Sequence, residues 1–105
     1  MTDLNLFYYT VPPTGEAFTT LLQDKNVKIV RIVSSNNIEP TEYHQEEDEW
    51  VVLLEGEAEM EIDGKRRTLK RGDTLFLPAH TPHTVLRTAR GTLWLAVHIY
   101  PAEKS

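Results

Sequence analysis

A chain of 105 residues, 40% hydrophobic and 26% charged, has the size of one domain (1–105) and enough apolar content to offset its ordering entropy and fold alone. The lack of cysteine excludes a disulfide framework and a thiolate site, so any metal must be held by imidazole and carboxylate. A net charge of -5 argues against nucleic acid as a partner, and no basic leader or run of 18 apolar residues suggests a membrane; a cytoplasmic protein is expected.

Gly15 to Gln23 follow Pro12-Pro13 and place Phe18, Leu21 and Leu22 at i, i+3 and i+4. This spacing predicts a short N-terminal helix over about 14–24, packed outside the sheets. From Val27 the period changes to two. Val27, Ile29, Arg31 and Val33 alternate with Lys28, Val30 and Ile32, a strand with both faces at least partly covered. Further short strands are predicted at 50–54, 58–62, 66–69, 74–77, 83–87 and 92–100, each bounded by turn residues.

Asp63-Gly64 separates two of them, and this dipeptide supplies the positive φ values of a two-residue hairpin turn. The basic residues Lys65, Arg66, Arg67, Lys70 and Arg71 flank that turn. They suit a solvated edge strand better than a polyanion site. Many short strands without βαβ spacing predict an all-β antiparallel barrel or sandwich over about 27–100.

Two clusters carry the candidate chemistry. The first reads Glu42-Tyr43-His44-Gln45-Glu46-Glu47-Asp48-Glu49-Trp50. Glu42 and His44 share one strand face, and Glu49 heads an apolar stripe with Val51 and Leu53, where a carboxylate is expensive to desolvate unless paired. A bound cation would relieve the crowding of five acids; a solvated acidic loop is the alternative. The second cluster runs from Arg71 through Gly72, Pro78, His80 and Pro82 to His83, where the prolines fix the backbone ahead of a strand.

Together the clusters resemble the two motifs of the cupin family of small β-barrels, over roughly residues 36–87. The first motif is Gly, five residues, His-x-His, three or four residues, Glu, six residues, Gly. His44, Glu49 and Gly56 match it, with Asn36 and Glu42 in place of the Gly and the first His. The second is Gly, five residues, Pro-x-Gly, two residues, His, three residues, Asn. Gly72, Pro78 and His83 match, with His80 and Arg87 in place of Gly and Asn.

The resemblance implies a jelly-roll barrel holding one divalent transition metal on His44, Glu49 and His83, with Glu42 carried over as a substitution. Such ligands accept Fe, Mn, Ni, Co or Zn. His98 shares a face with Trp94 and Ala96 in the last strand; there it is either a further ligand or general base, or a histidine packed in the wall.

Two functions follow as expectations. One is a metal-dependent enzyme acting on a small polar molecule, dioxygenase-like or isomerase-like. The other is a non-catalytic ligand-binding or sensing module. No nucleophile elbow or phosphate loop competes with them. Trp50, Val52 and Leu54 form an apolar sheet face that suggests a homodimer.

Overall fold

Period-two alternation runs through nearly every segment of this chain, and a turn residue closes most of them. The computed structural model describes residues 4–102, which contain nine strands and no helix. They are β1 (Glu16–Asp24), β2 (Val27–Ser34), β3 (Glu42–Tyr43), β4 (Asp48–Glu55), β5 (Glu57–Ile62), β6 (Lys65–Lys70), β7 (Thr74–Leu77), β8 (His83–Thr88) and β9 (Thr92–Ile99). All pairings are antiparallel. They form a five-stranded sheet ordered β1-β2-β9-β4-β7 and a four-stranded sheet ordered β3-β8-β5-β6, packed face to face as a jelly roll.

The N-terminal helix expected over 14–24 is a strand. β1 pairs with β2 along its whole length, and a bulge between Thr20 and Leu22 leaves Leu21 without a partner. That inserted residue interrupts the alternation and mimics helical spacing: Phe18 lies opposite Ile32, whereas Leu22 lies opposite Ile29 on the other face. Ladder hydrogen bonds to β2, together with the β-branched Thr19 and Thr20, decide the conformation.

The Asp63-Gly64 hairpin forms as its sequence dictates, with φ of 50° and 80° at the two turn residues. β6, which follows it, is an exposed edge strand whose Arg66 pairs with Glu59 on β5 at 2.9 Å. Between the sheets lie Leu53, Leu69, Leu77, Ala58 and Trp94, all buried. Each large apolar side chain removed from water contributes about 1.5–3 kcal/mol, so this layer holds the sheets together.

The outer face of the larger sheet is only partly covered. Arg31 fastens the N-terminal segment across it by donating from Nη1 to the carbonyls of Tyr8, Asn5 and Leu6 at 3.0, 3.4 and 3.5 Å. Trp50, its cross-strand partner Phe76, and Ile99 remain exposed. Among the described residues no helix is long and apolar enough to cross a membrane.

Candidate functional site

The site forms where the start of β8 faces β4 and β9 across the sandwich. Glu49 and His98 are direct cross-strand partners, so their side chains project together from the inner face of the larger sheet. His83 opens β8 in the smaller sheet, beside Tyr43 of β3, with ring centroids 6.0 Å apart. Two loop contacts close this end: the His80 amide donates to the Gln45 carbonyl at 2.8 Å, and the Ala79 amide to Asp48 Oδ1 at 2.7 Å. His80 adopts a φ of 65° in doing so, the left-handed conformation that explains glycine at this place in the family motif.

Glu49 is 8% exposed and His83 7%. Gln45 Nε2 donates to Glu49 Oε1 at 2.7 Å. His83 Nε2 stands 4.0 Å from Oε1, and His98 Nε2 stands 4.0 Å from Oε2. The opposite ring nitrogens are both engaged. His83 Nδ1 lies 2.9 Å from the Thr81 carbonyl oxygen, and His98 Nδ1 lies 3.1 Å from Glu47 Oε2. A carbonyl or carboxylate oxygen only accepts, so each Nδ1 carries a hydrogen and each ring turns its Nε2 toward Glu49, a lone pair when the imidazole is neutral. Glu47 also acts on Tyr100: burial first, then the charge of Glu47 and its hydrogen bond, raise the phenol above its ordinary range.

Two lone pairs facing one carboxylate repel unless a cation or proton lies between them. Histidines that ligate metals are commonly held in this way, with the second nitrogen donating to a carbonyl or carboxylate. The donor set therefore suits a divalent ion on Glu49, His83 and His98. Among the described residues no group of three or more histidine, aspartate or glutamate side chains is arranged to hold a metal ion as it stands. Ligands of a tetrahedral ion at 2.0–2.2 Å lie about 3.4 Å apart, so at 4.0 Å neither imidazole is within ligand spacing of the Glu49 oxygen it faces.

His44 and Glu42 are placed elsewhere. Both are exposed and lie outside the cavity lining. The pair Tyr43–His83 turns Tyr43 to the inner face, alternation sends Glu42 outward, and His44, just after the strand, is exposed. The structure thus brings together Glu49, His83 and His98 of the residues singled out by sequence, and separates His44 and Glu42 from them. Gln45 and Glu47 escaped notice. The motif's three-residue spacing before Glu49 selects Gln45, and Glu47 had no signal beyond membership of the acidic run.

Next to this polar end is a cavity of about 160 Å³. Ile32, Val51, Met60, Leu77, Val85 and Trp94 form its walls, and Phe18, Tyr43 and Glu16 contribute to its lining.

A family model described as a cupin domain matches residues 29–98, two thirds of the chain, a span that includes Glu49, His83 and His98. The chain belongs to the cupin family. Among solved structures it is similar to a candidate mannose-6-phosphate isomerase from Ralstonia eutropha JMP134, at 35% identity and a TM-score of 0.84, covering 96% of this chain and 100% of that one. A conserved Streptococcus pyogenes protein of unknown function shares the fold at 22% identity and a TM-score of 0.82, covering 97% and 90%. An uncharacterized protein of Aquifex aeolicus is 33% identical over 55 residues, 52% of this chain and 46% of that protein. The chain spans about half the length of the curated relatives it matches.

Proposed function

We propose that this cupin is a metal-dependent enzyme that binds a small organic molecule between its sheets and polarises it at Glu49, His83 and His98. The observation that carries the reading is the orientation of the two imidazoles. Each is fixed through Nδ1, by Thr81 or Glu47, so that Nε2 faces a different oxygen of one buried carboxylate. When bound, a divalent ion held by three protein ligands would supply Lewis-acid polarisation at its open positions.

The chain's own groups do the rest. Gln45 holds one Glu49 oxygen in place, Glu47 and Thr81 hold the rings, and the apolar walls exclude water from the ligand. The Ralstonia protein's description names a phosphorylated sugar, but no lysine or arginine is among the residues lining the cavity here, so a phosphate would lack a countercharge. Within this reading the reaction is isomerase-like or dioxygenase-like according to the metal. Ligand binding without turnover is the second reading, favoured by the hydrogen bonds that already fix Glu49 and both imidazole rings in place.

Metal analysis of the purified protein tests the site: about one divalent metal per chain is expected, and Glu49→Ala should lose most of it. A wild-type protein that stays metal-free after incubation with iron, manganese, nickel, cobalt and zinc in turn would refute it.

We also propose that the exposed Trp50–Phe76 face pairs two copies of the chain, since a contiguous apolar face is a cost in water. Sedimentation velocity at micromolar concentration should show a species of twice the chain mass, and Phe76→Glu should convert it to monomer. A wild-type monomer at that concentration would rule the pairing out.

A further inference from the structure

The far end of the cavity from Glu49 carries a second carboxylate. Glu16 lies opposite Ser34, which lies opposite Thr92, while Glu49 lies opposite His98. Along β9 the step from residue 92 to residue 98 spans about 20 Å at roughly 3.3 Å per residue, so the two acids belong to opposite ends of the sheet. Both line the same cavity.

Glu16 is set in place by a buried relay. The Trp94 indole Nε1 donates to Ser34 Oγ at 3.0 Å, and the Ser34 hydroxyl in turn donates to Glu16 Oε2. Ser34 is fully buried and Trp94 3% exposed, so one Glu16 oxygen is pinned to the wall. Among the described residues the other oxygen has no hydrogen-bond partner, and Glu16 forms no ion pair. Phe18 and Tyr43, also cavity-lining, are 64% and 51% exposed and present aromatic surface at the rim.

We infer that the cavity selects a ligand with a small apolar body and a protonated amine, and that Glu16 is the residue that determines this specificity. Three features converge on that class. At the Glu16 end the charged group is a carboxylate with one oxygen unpartnered among the described residues, so the local field there favours a cation whatever occupies the Glu49 end. Phe18, two residues from Glu16 on the same face of β1, offers its ring to an ammonium there. The walls between the polar ends are apolar and suit a hydrocarbon body. The inference rests on the reading of this cavity as the ligand site, and not on the metal.

Calorimetric titration of the full chain with benzylamine, benzyl alcohol and benzoate at pH 7 tests it. Protonated benzylamine has no lone pair for a metal, so its binding reports the carboxylate. The amine should bind at least about tenfold more tightly than benzoate. Glu16→Gln, which retains an acceptor for Ser34, should weaken amine binding about tenfold and leave benzyl alcohol within about twofold, as expected for one partly buried charge pair. Glu39→Gln, an exposed acid outside the lining, should change neither.

Benzoate binding as tightly as benzylamine in the wild type overturns the charge assignment without recourse to any variant. Unchanged amine affinity in a folded Glu16→Gln overturns the role of Glu16. Failure of all three probes to bind overturns the ligand-site reading itself, a result distinct from the other two.

Discussion

Gly56→Ala is expected to lower stability by about 2–5 kcal/mol, enough to leave little folded protein if the domain has ordinary marginal stability. Two costs add at this position. Its φ is 95°, where an L side chain is strained by about 1–2 kcal/mol. A Cβ there would also stand 2.8 Å from the backbone Cα of Thr92, as well as against its hydroxyl. Thr92 has no room to retreat: it is fully buried in β9, and its Oγ1 is within 2.7 Å of the Ala89 carbonyl and 3.2 Å of the Glu57 carbonyl. Overpacking against such a neighbour typically costs about 1–3 kcal/mol. Thermal unfolding followed by circular dichroism should show a midpoint at least about 10 °C below wild type. Gly15→Ala is the control, since its φ is 67° but nothing lies within 4 Å of the added methyl; it should lose only the conformational share. Equal midpoints for Gly56→Ala and wild type would show that the β4–β5 turn yields where the packing says it cannot.

His98→Ala should weaken divalent metal binding by more than about 100-fold, because altering only the groups behind a ligand already costs about 10–100-fold. His44→Ala should leave the affinity within about twofold. The contrast separates two ligand sets, one drawn from the motif pattern and one from the fold. His44 is exposed, whereas His98 is the cross-strand partner of Glu49 and directs Nε2 at its Oε2 from 4.0 Å. Competition with a chelating dye measures both variants, and circular dichroism confirms that each is folded. Retention of metal by His98→Ala with loss in His44→Ala would restore the motif-based set and require the segment after β3 to turn over.

The His44 assignment illustrates how far spacing reaches. With four residues between it and Glu49 the motif histidine falls on His44, and with three it falls on Gln45; a strand turns successive residues to opposite faces, so a shift of one exchanges the inner set for the outer. The cross-strand pairing of Tyr43 with His83 decides between them, and no local feature of the 42–49 run records that pairing. Residues 14–24 fail for a related reason. A bulge at Leu21 breaks the period of two, and the resulting pattern of apolar residues is the one an amphipathic helix would show.

What the amino-acid sequence by itself determined is the part carried by short-range chemistry. Alternation and turn residues specify β2 and β4 to β9, Asp63-Gly64 specifies its hairpin, and the two motif segments carry the resemblance to the cupin family. Tertiary structure alone decided which side chains meet them. His98 reaches Glu49 only because β9 lies beside β4, and Glu47, Gln45 and Glu16 acquire their partners only when the sheets pack and the loops close. The physical reason is that a strand's own residues set its alternation, whereas which face turns inward, and what lies across from it, depends on hydrogen-bond register with strands distant in sequence.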